Sequence, residues 1–583
     1  MAAGVAVLLL GLLPAGAAYP PAVSGRGGAV ASAERQATAA GLDVLLAGGN
    51  AADAAVAVAL ALAVVHPQAG NLGGGGFAVV RFGTETVTLD FREVAPAGVH
   101  PGLYLDENGN PVPERSRVGP LAAGVPGSPA GLWELHRRFG RLPWRRVVRP
   151  ALKLARDGFV VPRRLERDVT RHRELLERFP ESARWLLPGG HPPRAGSTMR
   201  NPELTAVLEA YGAHGPDAIV RGPVARAVEL VSRRYGGVLR AADLTAYRPV
   251  WREPVRFTLA GWRVASMPLP SSGGSILAES AAMLEPLGWA GLPRAGADRA
   301  HILAAVWKRV YADRYRLGDP ESTEVGPAEL LSPAWIRRRV ASIDLRRAVP
   351  SGEIVPWPGS PVPEPPDTTH LSVVDADGNT VALTTTLNGT FGSGVTVPGG
   401  GFLLNNEMDD FAMAPGRPNM YGLVQGAANA VAPGRRMLSS MSPTVAWRDA
   451  EVVALGSPGG SRIPTAVLQV LLALLVDGDP LQAAVDRPRI HHQWLPDRID
   501  AEPDALSPET AAALSDRGWT IRTTASLGEV HAVRRFADGT VEAAADPRGP
   551  GWAGVVEPGV GGRGGSVRGQ ATPSPPTRPS PRP

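Results

Sequence analysis

The chain has 583 residues, of which 44% are hydrophobic and 20% charged, a composition typical of a globular protein with a large core. Its formal net charge of +5 is small for this length, and no dense basic run with interleaved aromatic residues occurs, so we expect no nucleic-acid partner. The sequence contains no cysteine, which excludes disulfides, thiol catalysis and cysteine-ligated zinc.

The N-terminus carries an apolar run from Gly4 to Leu13, followed by small residues that suit cleavage after Ala18. This pattern predicts a signal peptide over residues 1–18, although the basic residues that usually precede such a run are missing. We therefore expect a secreted or periplasmic protein. No later segment has the unbroken apolar length of a membrane helix, since 51–65 is short and contains Asp53, so no integral membrane segment is expected.

Two helices are predicted near the start of the mature chain. The first spans Ala29 to Ala47, and Asn50 can cap a second, buried helix from Ala51 to Val65. The glycine run 73–76 follows, and two strands are predicted after it, over 77–82 and 86–92. Because no Gly-Lys-Ser/Thr occurs, a P-loop is excluded, and we interpret the glycines as a close approach of backbone to another layer.

The remaining pattern is mixed. Residues 101–250 are mainly helical, and a proline-rich linker is expected from 320 to 366, a surface loop or lid from 415 to 432, and a disordered Gly-, Pro- and Arg-rich tail from 549. The other predicted elements are strands within 255–265, 442–447, 451–455 and 519–545, and helices at 275–284, 298–317 and 464–476.

A hairpin at 368–388 stands out from this pattern. Its turn is the cluster 375–379, and its first strand follows a proline-rich run and opens with polar residues, Asp367-Thr368-Thr369. A threonine hydroxyl is a poor nucleophile unless a base lies beside it. Cleavage between Asp367 and Thr368 would supply that base, because the threonine would then carry a free α-amine.

The residues of this hairpin resemble the signature of the gamma-glutamyltranspeptidases, which are self-cleaving N-terminal-nucleophile hydrolases. The resemblance runs from Thr368 to Gly392 without a gap and extends, less densely, over about 25–548. It includes the segments Gly70–Phe77, Phe91-Arg92-Glu93, Pro270-Ser271-Ser272-Gly273-Gly274, Ala312-Asp313-Arg314 and Leu317-Gly318-Asp319-Pro320.

The resemblance implies an α+β fold, the four-layer αββα sandwich of these hydrolases, with sheets built from both halves of the chain. Periodicity alone supports only an α/β or α+β class. It also implies a large subunit at 25–367, a small catalytic subunit at 368–548 that begins at the nucleophile, and a heterodimer of these two fragments. The tail at 549–583 falls outside it.

The resemblance further implies the roles of four catalytic residues. Thr368 is the expected nucleophile, and the hydroxyl of Thr386 is expected to hold its α-amine, although a cross-strand threonine pair would look the same. Gly459 and Gly460 are expected to present backbone amides to an oxyanion. A tight strand-to-helix turn is the alternative interpretation of these glycines.

A second group of residues is implied to grip the α-amino and α-carboxylate groups of a γ-glutamyl donor. Arg92 suits the α-carboxylate because its planar guanidinium donates two parallel hydrogen bonds. Carboxylates suit the α-ammonium. The implied substrate-binding residues are Arg92, Ser439 and Ser440 for the carboxylate, and Asp410, Asn388 and Glu407 for the ammonium.

We expect neither a metal nor another cofactor. The run 405–411 is rich in carboxylates but lacks the spacing and the distal Glu of a calcium loop. The adjacent His491 and His492 point to opposite faces if they lie in a strand, so we interpret them as structural.

The implied activity is that of a self-processing acyltransferase and hydrolase. It would cleave the γ-glutamyl bond of glutathione-like donors through a threonine ester and transfer the γ-glutamyl group to amino acids, peptides or water. A glutaryl or cephalosporin acylase, or a poly-γ-glutamate depolymerase, is the alternative on the same fold. A non-catalytic secreted binding protein on a decayed enzyme scaffold is a third hypothesis.

Overall fold

The structure is a computed structural model that describes residues 21–323, 325–354, 368–559 and 565–571. The predicted signal peptide at 1–18 and the residue Asp367 lie outside these ranges.

The described residues form nineteen α-helices and twenty β-strands. The helices are α1 Arg35–Leu46, α2 Ala51–Val65, α3 Pro113–Arg117, α4 Ser128–Phe139, α5 Trp144–Asp157, α6 Arg163–Arg171, α7 Arg173–Glu177, α8 Pro180–Leu186, α9 Pro202–His214, α10 Asp217–Val220, α11 Gly222–Arg234, α12 Ala241–Ala246, α13 Gly273–Leu284, α14 Ala297–Arg314, α15 Pro327–Leu330, α16 Pro333–Ala341, α17 Ile463–Leu471, α18 Leu481–Asp486 and α19 Pro508–Asp516. The strands are β1 Val23–Gly25, β2 Gly28–Ser32, β3 Gly75–Phe82, β4 Glu85–Phe91, β5 Phe159–Val160, β6 Thr198–Met199, β7 Val250–Arg252, β8 Val255–Leu259, β9 Trp262–Ser266, β10 Thr368–Asp375, β11 Thr380–Thr386, β12 Thr444–Arg448, β13 Glu451–Gly456, β14 Ile490–His491, β15 Ile499–Ala501, β16 Ile521–Thr523, β17 His531–Arg535, β18 Val541–Ala544, β19 Trp552–Glu557 and β20 Ser566–Gly569.

Two large sheets form the centre of the fold. One has the strand order β20-β19-β2-β10-β11-β3-β4-β7 and the other β1-β18-β17-β13-β12-β9-β8. Side chains such as Val79 and Val374 from the first sheet meet Val445 and Val533 from the second in a buried apolar layer. Successive strand residues face opposite sides of a sheet, so the other faces are free to pack on helices.

The helices cover these outer faces. Helices α1, α2 and α4 pack on the first sheet, and α13 and α17 pack on the second. Helix α5 packs on α2, and α14 packs on α13. The arrangement is a four-layer α+β sandwich, as predicted, and its first sheet combines strands from both sides of residue 368.

Helix α2 begins where the sequence predicts. The Asn50 side chain accepts hydrogen bonds from the amides of Ala52 and Asp53, and the Asp53 carboxylate accepts from the Asn50 amide. Every residue of the helix is buried. The preceding prediction of a helix from Ala29 is wrong at its start, because 28–32 form strand β2 between β10 and β19. This strand is buried on both faces and shows no alternation in sequence.

The expected disordered tail from Gly549 is also wrong in part. Strand β19 pairs with β2, and β20 pairs with β19, so the eight-stranded sheet ends in residues assigned to the tail. The side chains of Ala553 and Val555 are fully buried. Their apolar burial outweighs the glycine-rich composition on which the prediction of disorder rested.

The expected linker at 320–366 contains two short helices, α15 and α16. The Ser332 side chain accepts a hydrogen bond from the Trp335 amide at 3.3 Å and caps α16, and Ile336 packs into the core beneath it. Residues 324 and 355–366 of that segment lie outside the described ranges. Among the described helices, none is both long enough and apolar enough to cross a bilayer.

We predict that β19 contributes to stability while β20 contributes little. Val555→Ala should lower the free energy of unfolding by about 2 kcal/mol, because it removes two buried methyl groups and leaves a cavity between the sheets. Val567→Ala in β20 is the matched control, since that valine is 40% exposed. Urea denaturation of both variants measures the difference. Equal effects would contradict the assignment of β19 to the core.

Candidate active site

The register of the β10–β11 hairpin brings the two predicted catalytic threonines together. Thr368 pairs with Thr386 across the strands, and their hydroxyl oxygens lie 3.5 Å apart. The register is set at the other end of the hairpin, where the Asp375 side chain accepts hydrogen bonds from the amides of Asp377 and Asn379. Both threonines are buried, so their proximity is a fixed feature of the sheet.

Asn388 continues this arrangement just beyond β11. Its amide donates to the Thr386 hydroxyl at 2.7 Å, and its side-chain amide donates to the Asn406 carbonyl at 3.0 Å. Its φ of 74° lies in the left-handed region, which asparagine tolerates better than most residues. The Tyr421 hydroxyl donates to the Asn388 carbonyl at 2.8 Å, so Asn388 is held from two sides.

A buried cluster of charges lies in the same cavity. The Arg92 guanidinium contacts Asp410 at 2.5 Å and Glu407 at 2.6 Å, and Glu93 lies 3.7 Å away. Burial raises the pKa of Glu407 well above its usual range and raises that of Glu93 to about 7, while Arg92 opposes both rises. Burial also raises the pKa of Asp410. The Arg92 guanidinium therefore lies within ion-pair distance of three carboxyl groups.

The predicted serines line the same cavity. Ser439 and Ser440 are buried, and the Ser440 hydroxyl has no hydrogen-bond partner among the described residues. The Ser272 amide and hydroxyl both donate to the Ser439 carbonyl, at 2.9 and 2.8 Å. The Pro-Ser-Ser-Gly-Gly segment thus positions the serine pair.

Gly459 and Gly460 form the turn between β13 and α17. Their φ values of 136° and 55° are ones that other residues rarely adopt, so the turn requires glycine. Gly460 lines the cavity that contains Thr368, whereas Gly459 lines an adjoining pocket.

Nine of the ten predicted catalytic and binding residues that the structure describes line one small cavity, of about 20 Å³; the tenth is Gly459. The nine are Arg92, Thr368, Thr386, Asn388, Glu407, Asp410, Ser439, Ser440 and Gly460. The structure does not describe Asp367, the residue predicted to precede the cut.

Six further residues line the cavity and were not predicted as site residues, among them Arg314 and Tyr421. Burial lowers the pKa of Arg314 to about 10, and this arginine leaves its Nη1 without a hydrogen-bond partner among the described residues. Tyr421 belongs to the segment 415–432, which was expected to be a surface loop or lid. Met420, Tyr421 and Leu423 of this segment are buried, and Tyr421 and Leu423 line the cavity, so this part is not an exposed surface loop, and its position agrees with the lid alternative. Arg314 was signalled by its Ala-Asp-Arg motif, whereas nothing local singles out Tyr421.

The adjacent residues His491 and His492 contact different partners. His491 contacts the Thr465 hydroxyl at 2.7 Å and Gln493 at 2.9 Å, and His492 lies 3.3 Å from the Asp497 carboxylate. Among the described residues, no group of three or more His, Cys, Asp or Glu side chains is arranged to hold a metal.

The chain is similar to several known proteins over most of its length. A sequence profile described as Gamma-glutamyltranspeptidase matches residues 37–556. The glutathione hydrolase proenzyme of Escherichia coli (strain K12) is 42% identical over 93% of this chain and 97% of its own length. A crystal structure of a cephalosporin acylase from Bacillus halodurans superposes with a TM-score of 0.79 at 26% identity, covering 93% of this chain and 99% of that one. The gamma-glutamyltranspeptidase structure from Helicobacter pylori gives 0.55 at 35% identity, covering 56% and 94%.

We predict that Arg92→Met destabilises the protein by roughly 3–5 kcal/mol near neutral pH, because it leaves buried carboxylates without their cation. A carboxyl group whose pKa is raised by folding holds its proton more tightly in the folded chain, so it destabilises the fold increasingly as pH rises from the unfolded value of 4.5. The deficit should therefore be smaller at pH 5 than at pH 8.

Urea denaturation at both pH values measures this deficit. Arg233→Met is the control, since Arg233 is 60% exposed and pairs only with Glu229 on its own helix. A deficit independent of pH would contradict the charge argument.

Proposed function

The chain belongs to the gamma-glutamyltranspeptidase family, and we propose that it is a self-processing γ-glutamyl transferase and hydrolase with Thr368 as its nucleophile. The observation that carries this proposal is the position of Thr368. It begins β10, its hydroxyl lies 3.5 Å from that of Thr386, and it shares a cavity with a buried arginine and its carboxylates.

In the proposed maturation step, the Thr368 hydroxyl attacks the carbonyl carbon of Asp367. The peptide C–N bond breaks, the nitrogen takes up a proton, and the acyl group moves to the threonine oxygen as an ester. Water then hydrolyses the ester, which leaves Asp367 as a carboxylate and Thr368 with a free α-amine. The product is a heterodimer of fragments that end and begin at this junction.

The α-amine then serves as the base for catalysis. Its pKa, about 7.7–8.0 for a free amine, leaves a useful neutral fraction near neutral pH. The amine accepts the hydroxyl proton as the Thr368 oxygen attacks the γ-carbonyl of the donor, and the Thr386 hydroxyl holds the amine. The backbone amides of Gly459 and Gly460 stabilise the oxyanion. The proton passes to the leaving amine, and a γ-glutamyl ester remains on Thr368.

An amino acid, a peptide or water completes the cycle. Its amine or oxygen attacks the ester carbonyl, its proton goes to the α-amine of Thr368, and the threonine oxygen leaves and recovers a proton. The γ-glutamyl group is thereby transferred or released as glutamate. Donors resembling glutathione suit this chemistry, because their γ-amide carries an α-amino acid head group.

The charge cluster suits that head group. The donor's α-carboxylate would bind Arg92 with help from Ser439 and Ser440, and its α-ammonium would lie against Asp410, Glu407 and Asn388. Arg92 is paired with Glu407 and Asp410 in the structure. On binding, the donor's carboxylate would pair with Arg92, and its ammonium would pair with the two carboxylates. No charge is then left buried without a partner. Glu407 accepts from the ammonium through carboxylate oxygens, as a glutamine carbonyl would.

The second candidate is an acylase for glutaryl or cephalosporin substrates, or a poly-γ-glutamate depolymerase. The likeness to the Bacillus halodurans acylase supports the acylase. A glutaryl group has no α-amine and would leave Asp410 and Glu407 uncompensated. The surplus of carboxyl groups therefore favours γ-glutamyl donors. An inactive binding protein would not need the complete set of residues around Thr368. We also propose that the protein is exported to the periplasm or medium, by the signal peptide predicted at 1–18.

We predict that the purified wild-type protein gives two bands on denaturing electrophoresis, and that N-terminal sequencing of the smaller one begins at Thr368. Thr368→Ala should stay as a single band because it has no hydroxyl. Thr368→Ser keeps the hydroxyl and should be cleaved. Thr369→Ala is the control for the neighbouring buried position and should also be cleaved. A wild type that stays whole would refute the maturation step.

We also predict a preference for γ-glutamyl over glutaryl anilide, measured as the ratio of kcat/KM values. Asp410→Asn should lower this ratio by about tenfold or more, since it removes a buried charge partner of the α-ammonium. Asp409→Asn is the comparison, because Asp409 contacts Arg117 and Ser116 instead of Arg92. A wild type that prefers the glutaryl substrate would favour the acylase.

A further inference from the structure

A second pocket adjoins the nucleophile cavity on the side of the glycine turn. Tyr421 and Ser461 line both spaces, and Gly459 lines the second one. A group leaving the reacting carbonyl, or approaching it, therefore has this pocket as its neighbour. A dipeptide extends at most ~7 Å, so the end of a dipeptide leaving group falls within this distance of the reaction.

The second pocket is strongly basic. Its wall contains three arginines, Arg462, Arg498 and Arg522, and a single carboxylate, Asp500. His491 also lines it, but burial lowers the pKa of this histidine to about 3, so it is neutral at physiological pH. The lining charges sum to +2, because three guanidinium groups face one carboxylate.

The three arginines do not share Asp500 equally. Arg522 forms two hydrogen bonds to it, at 2.8 and 2.6 Å, and Arg498 forms one at 3.0 Å. The Arg462 guanidinium lies 3.9 Å away and donates no hydrogen bond to any described residue. Its side chain is only 20% exposed. Burial lowers the pKa of Arg462, and repulsion from the neighbouring Arg522 and Arg498 also lowers it.

This arrangement of arginines is suited to binding an anion. A half-buried guanidinium without a hydrogen-bond acceptor is costly to desolvate, and a carboxylate accepts its two parallel N–H groups. The dipeptide that leaves a glutathione-like donor carries a terminal carboxylate, and so do amino-acid and peptide acceptors. Both would have this group on the side of the reacting carbonyl away from Arg92.

We propose that Arg462, Arg498 and Arg522 form a subsite for the terminal carboxylate of the leaving group or of the acceptor. This inference rests on the proposed function, because it assigns the non-glutamyl side of the same reaction. The subsite would favour donors and acceptors that end in a free carboxylate over those that end in an amide.

The donor arm of the test compares glutathione with the analogue whose glycine carboxylate is a carboxamide. We expect Arg462→Gln to lower the ratio of the two kcat/KM values by about tenfold, because only glutathione loses a charge-assisted hydrogen bond. Arg498→Gln and Arg522→Gln should lower it less, and Asp500→Asn should raise it. The wild-type preference should also fall between 50 and 500 mM NaCl, as screening requires.

The acceptor arm uses γ-glutamyl anilide as donor and compares glycylglycine with glycylglycinamide. A loss of selectivity in the donor arm alone identifies the leaving group as the source of the carboxylate, and a loss in this arm alone identifies the acceptor. Arg233→Gln, on helix α11, controls for the change in net charge. Arg462 follows the glycine turn closely, and its substitution could disturb that turn. If Arg462→Gln fails to mature, Arg498→Gln and Arg522→Gln still test the subsite.

The outcome that overturns the subsite is a wild-type ratio that none of the three arginine substitutions changes in either arm. Failure of the proposed function looks different. A wild type that does not hydrolyse γ-glutamyl anilide at all would overturn the function and the subsite together.

Discussion

The carboxylate of Asp375 links the nucleophile hairpin to the rest of the molecule. One oxygen accepts from the turn amides of Asp377 and Asn379, and the other accepts from the Ala51 amide at the N-terminus of helix α2 at 3.0 Å. The same group therefore fixes the turn and anchors it to a buried helix end that favours negative charge. A shift of one residue in this register would turn the Thr368 hydroxyl away from the cavity, so the geometry of the site depends on a contact at the far end of its strand.

The second constraint is electrostatic. Arg92, Glu93, Glu407 and Asp410 are all buried, and they are tolerable together only because each carboxylate lies near the guanidinium. Under the proposed function, the ammonium and carboxylate of the donor would replace these contacts between Arg92 and the carboxylates. Such a site costs stability in the free protein, and the binding of a matching head group recovers part of that cost.

Much of this arrangement could be predicted from the sequence because its signals are local. The cap at Asn50, the turn at 375–379 and the two strands around it are short patterns with one physical interpretation each. The nine predicted residues that line the cavity came from the resemblance of the hairpin and its flanking motifs to a known family, and local pattern alone would not have assigned them roles. What could not be predicted depends on distant partners. Strand β2 looks helical until β10 and β19 lie on either side of it, and Tyr421 is held at the cavity by a hydrogen bond to Asn388, which is distant in sequence.

The position of β2 also bears on the order of sheet assembly and backbone cleavage. This strand lies at residues 28–32, yet its two neighbours, β10 and β19, both come from the far side of residue 368. Without β19, strand β2 has only one of these neighbours and an open edge. The sheet that presents Thr368 is thus complete only when β19 has joined it. In the complete sheet, β2 and β3 from one side of residue 368 alternate with β19, β10 and β11 from the other, so the two pieces would stay interleaved after the backbone is severed.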